Sequence, residues 1–466
     1  MSDQGAKPPK GEDEGSSKVI TVIFLALLID LLGFTLILPL MPSILDHFGK
    51  SNDSLYQTLQ GTVGWFAEAV GVPQERKYNS VLFGGFIGSL FSLLQFICSP
   101  LTGAASDYLG RRRVMLINAV GIIVSYSLWA MSRNFEVFLL SRIIGGLSKG
   151  NVSLCAAVIA DLPSLKNRSK GMAMIGVAFS MGFTIGPMVG AYFAINAADG
   201  EVFYVRPALL ALTFSVLDLL FILLFLPETL PEKNRVSSMI VGFQGALDLI
   251  SPVSLFQFSA ITRREDFPSS KNVQNLRMLG LVYFLYLFFF SGLEYTISFL
   301  THQRFQFNSM QQGKMFFFIG ITMALIQGGY ARRIKPGTEL NAVKRAMILL
   351  IPAFLLIGWA NGIFMLGLGL LLYSFAAAIV VPCLSSMVST YGSASQKGTV
   401  MGILRSLGAL ARAVGPVLAA TLYWVAGAEF CFTVCSVSFL VPLLCLRKVT
   451  SHGKEEDRMT SHKKAE

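Results

Sequence analysis

Seven ionisable side chains lie inside runs that are otherwise apolar, and they are the groups through which this chain could do chemistry. The acids are Asp30, Asp218 and Glu294; the bases are Arg142, Lys149, Arg405 and Arg412. In a hydrocarbon layer each costs ~2.5–3.5 kcal/mol on insertion scales, so each needs a partner or a task. Four bases against three acids leave one positive charge over. Arg142 and Lys149 are seven residues apart, as are Arg405 and Arg412. Seven residues is close to two helical turns, so each pair predicts a basic stripe on one helix face. A carboxylate matches the planar fork of an arginine. Arg142 and Arg412 are therefore the expected substrate contacts, with Lys149, Arg405 and the amides Gln95 and Gln327 beside them. An enclosed carboxyl can exchange a proton in the working range. Asp30 is thus the first candidate for proton coupling, ahead of Asp218 and Glu294, and Glu294 could equally be an outer gate. The competing reading is that these charges only lock helices together, Asp30 being a permanent partner of Arg142.

The elements that must hold these groups are membrane helices. The chain has 466 residues, 53% hydrophobic and only 14% charged, with a mean hydropathy of +0.60. A soluble domain carries roughly 25% charged residues. The net charge of +11 does not imply nucleic acid, because Lys and Arg lie in short segments between apolar runs and form no patch. The six cysteines all fall within apolar runs, without CxxC or His alternation, so neither a disulfide framework nor a metal site is expected. No HExxH, GxSxG, Walker or paired-carboxylate pattern stands at usable spacing, which argues against an enzyme, a cofactor and ATP-driven pumping.

Read against the roughly 20 residues a span needs, the apolar runs fall near 19–44, 81–103, 114–131, 136–160, 171–194 and 207–226. A second set lies near 278–300, 314–331, 344–360, 363–388, 398–423 and 428–446, with the ninth run the weakest. The expected fold class is an all-α integral membrane protein of twelve helices in two six-helix bundles. Its parts are a disordered tail over 1–17, an N-terminal bundle over 18–226, a linker over 227–276, a C-terminal bundle over 277–446 and a tail over 447–466. Within the linker, Phe243, Leu247 and Ile250 share one face, with Gln244 and Asp248 on another, which predicts a short helix on the membrane surface. All four histidines, His47 and His302 among them, fall in expected loops or tails. Short-loop Lys and Arg number twelve on one side and seven on the other, which places both termini inside. Asn52, in Asn52-Asp53-Ser54, is then the one glycosylation acceptor outside. The end Lys463-Lys464-Ala465-Glu466 resembles a dilysine retrieval signal to the endoplasmic reticulum.

The halves repeat. FIGSLFSLLQ (86–95) recurs as FIGITMALIQ (318–327), and the Gly186-Pro187 of run five recurs as Gly415-Pro416 in run eleven. Six-plus-six repetition marks a carrier that rocks two bundles around a central site. Gly182, Gly186, Pro187, Gly190, Gly415 and Pro416 are expected to set bends and close packing. After run two, Gly103, Asp107, Gly110, Arg111 and Arg112 suggest a conformational latch, the arginines seeking an acid, with Asp161 the obvious one.

Gly103-x-x-x-Asp107-x-x-Gly110-Arg111-Arg112 resembles the signature loop of the major facilitator superfamily. Arg142-x-x-x-Gly146 resembles its arginine motif, and Gly182-x-x-x-Gly186-Pro187-x-x-Gly190 its antiporter motif. Asp30 with Pro39 and Pro42 is similar to the drug/proton-antiporter branch. Two departures stand out. Tyr108 replaces the usual basic residue, and the second copy, Gly328-Gly329-Tyr330-Ala331-Arg332-Arg333, lacks an acid, so any latch should be asymmetric. The stretches SGLEYTISFLTHQRFQF, QQGKMFF and YSFAAAIVVPCLSS carry a closer likeness to one branch. That likeness implies a monomeric secondary transporter exporting organic anions, including drug-like acids, from a cell-membrane or inner-nuclear-membrane address. The alternatives are an antiporter for other amphipathic solutes, or a sensor or scaffold that keeps the fold and does not transport.

Overall fold

The structure is a computed structural model that describes residues 10–51, 53–70, 79–195, 202–235, 247, 249–262, 270–334, 337–391 and 397–449. The first span is α1 (Lys10–Thr35) followed, after a single 3-10 turn at Leu38–Leu40, by α2 (Met41–Lys50). Pro39 and Pro42 cannot donate the backbone hydrogen bonds that would fuse the two helices. Helix α3 (Ser54–Val70) lies outside the apolar runs, and α4 (Asn79–Leu109), α5 (Arg111–Met131) and α6 (Phe135–Ser148) follow. Span four continues past Lys149-Gly150 as α7 (Asn151–Ala160), and α8 (Leu165–Ile195) and α9 (Val205–Phe225) complete the first half. The linker contains α10 (Pro252–Gln257), and the second half comprises α11 (Ser270–Phe305), α12 (Ser309–Gly329), α13 (Glu339–Gly358), α14 (Ile363–Thr390) and α15 (Lys397–Ala426). Span twelve is α16 (Ala428–Ser438) with α17 (Leu440–Cys445).

Twelve spans therefore stand among the described residues. Eleven are long and apolar enough to cross a membrane on composition alone. The other is α12, whose Gln311, Gln312, Lys314 and Gln327 dilute its apolar run. The eighth run, not the ninth, is thus the marginal one.

Several boundaries differ from expectation. Residues 10–17, expected in the disordered tail, open α1. The seventh span starts at Ser270, inside the expected linker. The linker residues around α10 also pack with the second half, Leu255 and Phe258 being fully buried. His47 lies within α2 and His302 in the last turn of α11, so neither is a loop residue. Phe243, Gln244 and Asp248 of the predicted surface helix, Asn52, and Lys463 with Lys464 lie outside the described residues.

Small residues bring the two halves together at one end only. In α4, a side chain at Gly85 would meet the Pro416 carbonyl of α15 at 2.9 Å, and one at Gly88 would meet the Tyr295 ring of α11 at 2.8 Å. In α12, a side chain at Gly313 would meet the Pro187 carbonyl of α8 at 3.2 Å, and Gly320 lies on Thr184. Gly88 and Gly320 are equivalent in the repeat, and Gly85 and Gly313 each lie against the fifth helix of the other half. Toward the opposite end the same four helices carry Gly103, Gly176, Gly328 and Gly402, where an added side chain would meet nothing within 4 Å. The molecule is closed at the expected outer end and parted at the end bearing Gly103–Arg113.

Candidate functional site

Between the halves, at mid-depth, the charged groups sort into three sets. The first half contributes a closed pair. Lys149 sits at the break between α6 and α7, and its Nζ donates to both carboxylate oxygens of Asp30 at 2.7 Å. Both side chains are buried, and the ammonium also lies 4.8 Å from the centre of the Phe34 ring. The Gln95 amide donates to the Lys149 carbonyl at 3.4 Å, holding the break from α4. Beside the pair, Asp30, Asp218, Asn151 and Cys155 line a small cavity. Asp218 is 3% exposed, and neither its Oδ1 nor the Oδ1 of Asn151 has a hydrogen-bond partner.

Arg142 stands apart. Its guanidinium is buried between Trp129 and Phe138, 5.2 and 5.6 Å from the ring centres, and its Nε donates to Ser141 Oγ at 3.2 Å. One terminal nitrogen has no partner. The expected substrate contact at Arg142 is thus a packed residue of the first half, and the partner of Asp30 is Lys149. The predicted stripe from Arg142 to Lys149 does not form, because the helix ends at Ser148.

The second half supplies the open cations. Arg412 is exposed and Arg405 half-buried on α15, and neither has a carboxylate within salt-bridge distance among the described residues. Both act electrostatically on Tyr283, and Arg405 on Cys155 across the gap between halves. Glu294, likewise exposed, accepts a hydrogen bond from Tyr373 Oη at 2.7 Å and lies within electrostatic reach of Arg412. Gln327 accepts from Ser180 Oγ at 2.9 Å, a polar contact between α12 and α8. Chemically, the second half carries unneutralised guanidinium groups and the first half a neutralised pair.

The latch is built within one half. Arg111 opens α5 after Gly110, whose φ of +101° only glycine adopts without strain. Its guanidinium meets Asp107 at 2.6 Å, Asp161 at 3.0 Å and Ser106 Oγ at 2.5 Å. Arg112 instead donates to the Leu223 carbonyl. Sequence reasoning missed Glu228. Its carboxylate accepts from the Arg111 and Arg112 amides at 2.9 and 3.3 Å and so caps α5. An acid directly after span six, facing a run of three arginines, was the available signal.

At the predicted bend positions the helices stay continuous and approach one another closely. A side chain at Gly182 would meet Leu31 Cβ at 2.7 Å, and those at Gly186 and Gly190 would fall on Thr35 and Leu36 of span one. Thr35 Oγ1 donates to the Gly182 carbonyl at 2.9 Å. Gly415 lies in the same way on the Phe288 carbonyl of α11.

Two bundles of six, related by repetition and parted at one end, define a carrier, and the sequence model of the Major Facilitator Superfamily matches residues 23–416. The chain belongs to that superfamily. Among its relatives, the human major facilitator superfamily domain-containing protein 10 is 61% identical over 95% of this chain and 96% of its own length. The Escherichia coli class B tetracycline resistance protein is 25% identical over 88% of each. The crystal structure described as that of the human organic anion transporter MFSD10 (TETRAN) matches with a TM-score of 0.78 at 61% identity, covering 94% of this chain and 100% of that one.

Proposed function

We propose that this chain is a secondary active transporter that moves small organic anions, amphipathic or drug-like acids, by alternating access. The observation that carries the reading is the pair Arg405 and Arg412, which have no carboxylate within salt-bridge distance among the described residues while Lys149 is already paired with Asp30. The human relative described as an organic anion transporter supports it. An anion entering from the open end adds the missing negative charge, and aromatic side chains of the first half (Phe34, in contact with Phe91 and with Phe183) offer an apolar surface for its body. Glu294, within electrostatic reach of Arg412, offsets part of the positive charge on α15, which suits monocarboxylates over polyanions.

Coupling to protons runs through Asp30 in this reading. A proton on Asp30 frees Lys149, and Asp218, a carboxyl without a partner in the same cavity, is the group that then receives the ammonium. The transporter acts as a monomer in a cell-surface or inner nuclear membrane; a dilysine signal at Lys463 and Lys464 would add endoplasmic reticulum retrieval, and imaging with both changed to Ser tests it. The class of substrate is tested by thermal shift of the purified protein against aromatic carboxylates and against quaternary amines. Stabilisation by the acids alone is expected. Stabilisation by the amines alone would turn the reading toward a multidrug antiporter, and none by either toward a sensor or scaffold.

A further inference from the structure

The closed outer end holds a titratable contact between the halves. His302, in the last turn of α11, places Nε2 2.8 Å from Oδ2 of Asp46 on α2, and Nδ1 2.9 Å from the carbonyl of Phe307. A backbone carbonyl can only accept, and so can an ionised carboxylate. With Asp46 ionised, both ring nitrogens carry hydrogen and the ring is an imidazolium. The alternative, a neutral ring against a protonated Asp46, contains the same number of protons. Either way the closed pair holds one proton that a separated Asp46 carboxylate and neutral His302 do not.

Asp46 belongs to the first half and His302 to the second, so the outer mouth cannot open without parting them. Parted, the imidazole returns to water, where it titrates near 6.5. His302 is 23% exposed and Asp46 36%, so the pair can exchange with the outer solution. The surrounding charges are few. Lys50 of α2 acts on His302 and opposes its charge, Tyr56 of α3 faces Asp46, and Arg304, on the same helix, is engaged by Glu429 of α16. We propose that Asp46 and His302 form a proton-binding site spanning the outer seam, so that closing that end takes up a proton from the outer solution and opening releases it. Outer acidity then favours the state open to the other side, a bias separate from any proton on Asp30. The inference rests on alternating access and not on the identity of the substrate.

The test is a distance measurement on the full chain in nanodiscs without substrate. Spin labels are placed at Gly61→Cys of α3 and Gly362→Cys before α14, where an added side chain meets nothing within 4 Å. The background carries Cys98→Ser and Cys445→Ser, replacing the two cysteines that are not buried. Between pH 8 and 5.5 the closed-to-open ratio should rise about tenfold or more. Asp46→Asn and His302→Gln should each flatten that response. Lys50→Ala, at an exposed position that leaves packing intact, should move the transition to higher pH. A ratio indifferent to pH in the unmodified pair, or a response of equal size in both substituted pairs, overturns the proposal. Because no anion is added, neither result depends on what the protein carries.

Discussion

Single residues divide the buried charges by what they touch. Asp30 and Lys149 satisfy one another at 2.7 Å, whereas Asp218 has an oxygen with no partner in the same cavity. Breaking a buried pair normally costs about 3–5 kcal/mol because it strands a charge. Asp30→Asn should cost clearly less, since Asp218 can accept the ammonium, and adding Asp218→Asn should bring the loss into that range. A chemical or thermal unfolding series on the two variants decides it; equal losses would remove Asp218 from the role of second acceptor. Arg142 gives a contrasting expectation. Enclosed by Trp129 and Phe138, it contributes packing and cation–π attraction, so Arg142→Gln should lower the melting temperature by several degrees and leave substrate affinity per folded molecule unchanged. An altered KM with normal stability would return Arg142 to the site. The sequence alone could single out these residues, because a charge in an apolar run is visible by composition. It could not choose between Arg142 and Lys149 as the partner of Asp30. That choice depends on where span four breaks, and Ser148-Lys149-Gly150 carries no proline to announce it.

The spans were legible because twenty apolar residues in lipid have few structures open to them. What was not legible lies in the connections. Helix α3 sits in a segment with no apolar run, the first span is divided near Pro39, and Glu228 reaches back from the linker to cap α5. The division of the first span is local, set by Pro39 and Pro42, whereas α3 and the Glu228 cap depend on contacts between segments far apart in sequence. The cap gives a direct prediction: Glu228→Ala should destabilise by about 0.5–2 kcal/mol, read as a lower melting temperature, and Glu228→Gln by less. No change in either would mean the capping contact is not stabilising. The repeated glycines make a second one. Gly186→Val would put methyl groups where Thr35 Oγ1 stands and break its hydrogen bond to Gly182. Expression and thermal stability should fall more than for Gly176→Val on the same helix, where there is open space. Equal effects would argue that helix propensity rather than close approach sets the cost.

The molecule as a whole is two repeated bundles closed over each other at one end and parted at the other, with Arg405 and Arg412 on α15 of the second. Rocking such bundles requires contacts that differ between states, and the glycine seams, the Asp46–His302 pair and the Ser180–Gln327 contact are of that kind. The Asp107–Arg111–Asp161 cluster is not, since every member lies in the first half and moves with it. The central claim is that free guanidinium groups on α15 receive an anion, and carrier-mediated uptake of a labelled aromatic carboxylate into proteoliposomes tests it most directly. Saturable uptake is expected, with KM raised about tenfold or more in Arg412→Gln, as for the loss of a charged hydrogen bond, and with folding unchanged. Uptake no greater than in protein-free liposomes, or an Arg405→Gln/Arg412→Gln double variant that transports like the unmodified chain, would contradict the claim.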